Sequence, residues 1–201
     1  MAVNSENLSH PNSGNCPVAS KVTFGFWIYV MTDAVMFATL FAVYVVLHNS
    51  TYGGPSIREV ASLNSLLMQT LVFLVSAFLY GLSLVSFYRG NKPAVLSWLA
   101  LSFVFGAIFL AIEWNDGASL VAQGYDWTKS AFLSSYFGFL GIHGLHVFIG
   151  LLWMVIVAVQ FKYKGLTVTM NTRFVCLGLF WNFVNLMWLI AFTIMFLMGA
   201  V

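Results

Sequence analysis

Two histidines lie close together inside one of the most apolar parts of the chain. His143 and His146 are three residues apart in the segment Gly141–His146, and on a helix this spacing directs both imidazoles to roughly the same side. Two axial ligands of one haem approach the iron from opposite faces, so this pair cannot serve a single haem. A haem or copper site here would need a further ligand from another helix. We interpret both as satisfied core histidines.

Two carboxylates accompany them in the apolar segments. Asp33 lies about ten residues into the first apolar run, where a carboxylate costs ~2.5–3.5 kcal/mol on membrane-insertion scales, so it must be paired or protonated. A proton-relay or gating role is one interpretation, and a hydrogen-bonded acid that packs helices is the one we favour. Glu113 ends the third run, where we expect water or a loop to solvate it. Two acids are too few for a di-iron carboxylate bundle.

The composition shows which solvent the chain folds in. Hydrophobic residues make up 61% of the sequence and charged residues 7%, whereas charged residues are about a quarter of a soluble protein. A helix of ~20 residues crosses the hydrocarbon core of a bilayer, and helices satisfy their own backbone there. We therefore predict an all-α fold, an integral membrane bundle of five transmembrane helices. The predicted spans are Phe24–Leu47, Ser65–Tyr88, Ala94–Trp114, Phe132–Phe161 and Phe174–Met198.

The domain organisation follows from the same pattern. Residues 1–20 are rich in Asn and Ser and predict a disordered tail, without the basic start and cleavage site of a signal peptide, and residues 21–201 form the membrane domain. Basic residues are more frequent in the tail and loops on the side of the N-terminus, which predicts a cytoplasmic N-terminus and a periplasmic C-terminus in a bacterial plasma membrane. Because these residues are scattered over short loops, we expect no nucleic-acid partner. Those on the predicted inner side are Lys21, Arg89, Lys92, Lys162, Lys164 and Arg173.

Depth along the spans groups several polar side chains together. At ~1.5 Å per residue they fall near the middle of the bilayer, on the first, fourth and fifth spans. We predict that these spans pack through a buried polar layer, and that Gly138, Gly141 and Gly144 allow close helix approach. The layer consists of Asp33, His143, His146, Asn182 and Asn185.

Three further expectations concern loops and the second span. An outer loop of about residues 115–131 should carry Asp116 and Asp126, and Asn171 or Thr172 should cap the fifth helix. Gln69 is a further polar residue within the membrane, on the second span.

Six short motifs, spread from about Lys21 to the C-terminus, resemble subunit III of bacterial haem-copper terminal oxidases. The resemblance is to the five-helix form typical of cytochrome o ubiquinol oxidases. The His-Gly-Leu-His-Val block inside a membrane span is specific, and the combination is more specific than any single motif. The motifs are Phe24–Tyr29, Met31–Asp33, Gly53–Pro55, Ser97–Leu101, Gly141–Val147 and Lys164–Thr167.

The resemblance implies an accessory subunit without a cofactor of its own. It would pack on the catalytic subunit I, which holds the haems and copper, beside subunits II and IV and bound phospholipid. Its implied roles are to stabilise the complex and to sustain proton uptake during quinol oxidation and oxygen reduction. No catalytic residue is then expected in this chain.

The chain departs from the family pattern at three positions. Asn182 and Asn185 stand where the family usually has His and Asp, and Gln69 stands where the quinol-oxidase branch commonly has Glu. Each change removes an ionisable group and keeps a hydrogen-bonding side chain, so these positions need polar contacts more than protons.

Two alternative functions stay open at this level. In one, the chain is a member of the same family in a different complex, either subunit III of a cytochrome c oxidase or a homologue associated with nitric oxide reductase. The other is a small ion or proton transporter using Asp33. Such transporters commonly contain inverted repeats and broken helices, and neither is evident in the sequence.

Overall fold

The fold consists of long helices that run back and forth in chain order. The computed structural model describes the backbone of residues 17–48, 50, 63–125 and 127–200, and the side chains of residues 21–48, 50, 64–125 and 127–194. Five helices in this part of the chain are long and apolar enough to cross a membrane, which confirms the predicted all-α membrane bundle. They are α1 (Pro17–Leu47), α2 (Leu63–Tyr88), α3 (Lys92–Ala122), α4 (Ala131–Lys164) and α5 (Val168–Ala200).

Several helices are longer than the predicted spans. Helix α3 continues past Trp114 to Ala122, so Asp116 belongs to a helix and the predicted outer loop at 115–131 was wrong over its first half. Helix α1 begins at Pro17, inside the predicted tail. A span estimated from bilayer thickness misses these extensions, because a helix does not have to end where the hydrocarbon ends. Residues 1–16 and Asp126 lie outside the described residues.

Local chemistry sets the helix ends. Ser130 caps α4 by accepting a hydrogen bond from the Leu133 backbone N–H at 3.1 Å. Gly165 follows α4 with φ +64°, a conformation that glycine adopts without steric cost. Helix α5 is capped by Thr167, whose Oγ1 accepts from the Met170 N–H at 3.3 Å. Asn171 and Thr172, the predicted caps, lie inside α5, so that prediction was wrong.

Helix α5 is the most buried of the five and packs against α1, α2 and α4. Three hydrogen bonds align it antiparallel to α2. The Tyr80 hydroxyl donates to the Phe174 carbonyl at 2.7 Å. The indole N–H of Trp181 donates to Ser76 Oγ at 3.2 Å, and that of Trp188 donates to Thr70 Oγ1 at 3.1 Å. Polar groups in hydrocarbon stabilise helix pairs in this way because lipid offers them no alternative partner.

Small residues let α2 and α3 approach closely. Ser76 Oγ donates to the Ser102 carbonyl and Ser102 Oγ donates to the Ser76 carbonyl, each at 2.8 Å. Nearer the turn between α2 and α3, Ser83 Oγ donates to the Val95 carbonyl at 3.1 Å. Each hydroxyl donates its hydrogen to a carbonyl of the facing helix. The short serine side chains let the two backbones lie near each other.

Trp181 fills the centre of the bundle between two glycines. Its side chain is fully buried. A Cβ atom added to Gly106 on α3 or to Gly150 on α4 would lie 2.8 Å from the indole ring. The indole therefore needs a glycine on both neighbouring helices.

Of the three glycines of α4 that were predicted to allow close helix approach, one faces a neighbouring helix. A Cβ atom at Gly138 or Gly141 would meet no atom within 4 Å, so the prediction that these two residues allow close helix approach was wrong. Gly144 does face another helix, because a Cβ atom there would lie 3.3 Å from Glu113 Oε2. Helix periodicity alone does not show which glycines of a span face a neighbour.

The Trp181 contact predicts that Gly150→Ala destabilises the bundle. Overpacking of this kind typically costs ~1–3 kcal/mol, because either the indole or the backbone of α4 must move. Thermal unfolding of the purified protein in mild detergent measures the change. Gly138→Ala is the matched control, since its new methyl group enters open space. Equal thermal midpoints for the two variants would contradict this account of the packing.

Candidate functional site

Four ionisable side chains from three helices lie buried inside the bundle. His143 and His146 come from one side of α4, Asp33 from α1 and Glu113 from α3. Their exposed fractions are 0% for His143, 9% for His146, 8% for Asp33 and 5% for Glu113. Groups of this kind are expensive in hydrocarbon, so each requires a partner.

His146 pairs with Asp33. Its Nε2 lies 3.3 Å from Asp33 Oδ1, with hydrogen-bonding geometry, and 3.1 Å from Oδ2. Its Nδ1 lies 2.7 Å from the Ile142 carbonyl, one turn earlier on α4. A carbonyl only accepts, so Nδ1 carries a hydrogen and donates it. This contact orients the ring and leaves Nε2 to share a proton with Asp33.

His143 pairs with Glu113 in the same way. Its Nδ1 lies 3.3 Å from Glu113 Oε1, and its Nε2 lies 3.4 Å from the Val184 carbonyl on α5. The expectation that water or a loop solvates Glu113 was wrong. The continuation of α3 to Ala122 places this acid well inside the helix, over Gly144.

The geometry of each pair allows a single proton to be shared between imidazole and carboxyl group. With the other ring nitrogen bound to a carbonyl, the proton lies either on the imidazole, giving an ion pair, or on the carboxylate, giving a neutral acid beside a neutral imidazole. Both arrangements have the same total charge of zero. A pair that holds one such proton therefore leaves no net charge among the buried side chains.

Aromatic rings enclose both pairs. The Phe37 ring lies edge-on to His146, with ring centroids 5.2 Å apart. Phe139 stacks on His143 at 5.8 Å, and Trp188 lies 5.0 Å from the same imidazole. These rings fill the space around the pairs and strengthen their electrostatic attraction, because they lower the local dielectric.

The two asparagines of α5 occupy different environments. Asn185 is buried, and its Nδ2 donates to the Trp181 carbonyl at 2.9 Å, while its Oδ1 has no hydrogen-bond partner among the described residues. Asn182 is exposed on the outer side of α5, and its Nδ2 donates to the Gly178 carbonyl at 2.8 Å. The prediction that Asn182 belongs to the buried polar layer was therefore wrong.

Gln69 belongs to a separate polar cluster between α2 and α3. Its Nε2 donates to Asp116 Oδ2 at 2.5 Å, and Ser65 Oγ donates to the same oxygen at 2.9 Å. Gln69 is 3% exposed. The carboxylate that we assigned to an outer loop is thus a helix residue that fastens the C-terminal part of α3 to the N-terminal part of α2.

The arrangement can hold protons and connect helices. The two pairs join α1 to α4 and α3 to α4 at buried positions. In the part of the chain with described side chains, no group of three or more His, Cys, Asp or Glu is placed to hold a metal ion.

Sequence reasoning found Asp33, His143 and His146 and missed the pairing of Glu113. The pairing of Glu113 could have been predicted by counting the histidines and the acids in the predicted spans. Two imidazoles on one side of a helix call for two acceptors, and Asp33 and Glu113 are the acids that lie in the predicted spans.

The geometry predicts that Asp33 and His146 are energetically coupled. Asp33→Leu leaves Nε2 of the imidazole without an acceptor, and His146→Leu leaves a buried acid without a partner, so each should cost ~1–3 kcal/mol. The double variant should cost less than the sum of the two, by ~0.5–3 kcal/mol. Unfolding in mild detergent measures all three.

Thr39→Val supplies the control for that cycle. Thr39 is exposed on α1, and its hydroxyl donates to the Met36 carbonyl of its own helix at 2.7 Å. Its replacement should change the stability by less than ~0.5 kcal/mol. Strict additivity of Asp33→Leu and His146→Leu would show that the two side chains do not interact.

Comparison with known proteins places these features in a family. The family model described as cytochrome c oxidase subunit III matches residues 5–200. A cytochrome bo(3) ubiquinol oxidase subunit 3 from Pseudomonas aeruginosa is 44% identical over 96% of this chain and 89% of its own length. Another of the same name, from Pseudomonas putida, is 43% identical over 88% and 85%. A quinol oxidase subunit 3 from Bacillus spizizenii is 34% identical over 96% and 98%. The chain belongs to the cytochrome c oxidase subunit III family.

Proposed function

We propose that this chain is the accessory subunit III of a bacterial haem-copper ubiquinol oxidase in the aerobic respiratory chain. The observation that carries the proposal is the similarity, along almost the whole chain, to relatives named as subunit 3 of ubiquinol and quinol oxidases. In this proposal the partners are a catalytic subunit I with the haems and copper, and subunits II and IV. The chain itself contributes no cofactor.

The role proposed for the buried pairs is structural. Asp33 and Glu113 each share a proton with a histidine of α4, and in this way they fix the relative positions of α1, α3 and α4. A rigid bundle supplies a constant surface for the catalytic subunit. Support for proton uptake by subunit I would then come from the stability of that contact.

Phospholipid belongs to the same proposal. Helices α1 and α3 have outward rows of large apolar side chains, among them Ile28, Met31 and Val35 on α1 and Leu101 and Val104 on α3. Shallow apolar depressions lie along both rows. Acyl chains fit such surfaces, because they are apolar and adapt their shape to the side chains.

The transporter alternative finds less support. Helices α1 to α5 have no interruption within the ranges that the structure describes, whereas transporter sites commonly use broken helices. Asp33 is 8% exposed and bound by His146. An ion would have to displace the imidazole and pass the surrounding aromatic rings to reach it.

The orientation proposed is a cytoplasmic N-terminus and a periplasmic C-terminus. Basic residues gather at the end of the bundle formed by the α2–α3 turn and the α4–α5 connection, and an excess of Lys and Arg favours the cytoplasmic side. There Lys92 Nζ lies close to Gly165, and the Arg173 guanidinium donates to Gln160 Oε1. A reporter enzyme that is active only in the periplasm should be active when fused after Val201 and inactive when inserted at Gly90. The reverse pattern would refute this orientation.

Purification of the affinity-tagged chain from its native membrane tests the proposed function. We expect a larger haem-bearing subunit to co-purify in a 1:1 ratio, with the visible spectrum of a haem-copper oxidase and oxygen consumption driven by ubiquinol. Mass spectrometry of the same sample identifies bound phospholipid. Oxygen consumption with cytochrome c and not with ubiquinol would move the chain to a cytochrome c oxidase. A colourless chain without partners would refute the proposal.

A further inference from the structure

One narrow row of α5 side chains reaches the outer surface of the bundle. Helices α1, α2 and α4 cover the rest of α5 through its middle part. The row repeats every three or four residues, as one side of a helix does. We call it the α5 stripe, and it consists of Val175, Leu179, Asn182, Leu186, Leu189 and Thr193.

Asn182 is the unusual member of the α5 stripe. Its Nδ2 donates one hydrogen to the Gly178 carbonyl, and the exposed side chain also has a second N–H and the oxygen Oδ1. Among the described residues, no group donates to that oxygen. The exposed threonines of α1 differ, because Thr32 and Thr39 each donate their single hydroxyl hydrogen to a carbonyl of their own helix.

The depth of Asn182 makes its free amide atoms expensive. The residue lies fourteen positions after Val168, the start of α5, and at ~1.5 Å per residue this is about 21 Å, near the bilayer centre. Water does not reach this depth, and acyl chains offer neither donors nor acceptors. Lipid therefore suits Leu186 and Leu189 but not Asn182.

We propose that a transmembrane helix of a larger partner subunit of the oxidase covers the α5 stripe and donates a hydrogen bond to Asn182 Oδ1. This inference rests on the proposed function, because it assumes a complex in which the chain is a subunit. The partner helix is apolar, with a hydroxyl, amide or indole N–H donor level with Asn182. Leu186 and Leu189, which are 51% and 38% exposed, supply the apolar contacts on the same side.

The other outward surfaces contrast with the α5 stripe. On α4, Leu145, Leu152 and Ile156 are large and exposed, and no amide side chain lies among them. Acyl chains can therefore cover that surface through apolar contacts alone. The amide of Asn182, with its unused donor and acceptor, therefore favours protein as the neighbour of the α5 stripe and lipid as the neighbour of the α4 surface.

Site-specific photo-crosslinking in native membranes tests the location of the contact. A benzophenone amino acid at Leu186 should link the chain to a larger subunit, whereas the same group at Leu152 on α4 should react with lipid. A product of twice the mass of the chain would show that a second copy covers the α5 stripe. Partner links from Leu152 and none from Leu186 would place the contact elsewhere. Either result overturns the inference.

Asn182→Leu tests the hydrogen bond itself. Residue 182 is exposed and a Leu side chain branches at Cγ as an Asn side chain does, so the bundle should fold normally. If the α5 stripe faces lipid, the substitution should leave the association with the haem-bearing subunit unchanged. If the α5 stripe is an interface, we expect at least a fivefold loss of chain per haem after washing the complex with detergent. Asn182→Ser, which keeps a polar group, should lose less. Full retention of Asn182→Leu would refute the hydrogen bond.

Two outcomes separate this inference from the proposed function. Co-purification of the unsubstituted chain with a haem-bearing subunit tests only whether the chain is a subunit. If the complex forms, while Leu186 gives no link and Asn182→Leu is fully retained, the proposed function stands and the α5 stripe is not the contact. If no complex forms with the unsubstituted chain, both fail together.

Discussion

The bundle depends on the need to give each buried carboxyl group a polar partner in hydrocarbon. Asp33 and Glu113 each meet this need by pairing with a histidine of α4. If α1 or α3 slid along α4, its acid would separate from the histidine. The pairs therefore fix the positions of α1 and α3 along the axis of α4. A buried pair of this kind adds little net stability over an apolar pair of the same shape, but losing one partner is costly. The pairs therefore specify the arrangement of the helices more than they strengthen it.

Close packing around Trp181 completes that arrangement. The indole occupies the space left by Gly106 and Gly150, and its N–H reaches Ser76 on a third helix. Lipid chains are as apolar as leucine, so helices in a bilayer gain little by hiding apolar surface from each other. They associate through close packing and hydrogen bonds. One side chain of α5 provides both with α2, α3 and α4, which explains why α5 is the most buried helix.

The sequence was sufficient for the fold because hydrophobicity determines membrane spans directly. It predicted a polar layer that includes Asp33 and His146, because both lie at a similar depth in hydrocarbon, but it did not predict which imidazole pairs with which acid. It was insufficient for Glu113, because a span of standard length ends before the helix does and places the acid at the surface. It was also insufficient to show that Asn182 is exposed, since the depth of a residue in the bilayer does not give the rotation of its helix about the helix axis. Which side of a helix faces the interior is decided by packing against neighbours.

The polar residues of α5 bear on how protons are held in the bundle. Its middle part offers Asn182 and Asn185 where the resembled family usually has His and Asp, and both amides donate to carbonyls of α5 itself. The buried ionisable pairs therefore lie on α1, α3 and α4. Around them, the described structure places Phe37, Phe139 and Trp188, none of which carries a proton between groups at neutral pH. A relay across the bundle would have to pass these rings, whereas a structural role needs only the contacts that are present. These contacts favour the structural role that we propose for the pairs over a role in a proton path.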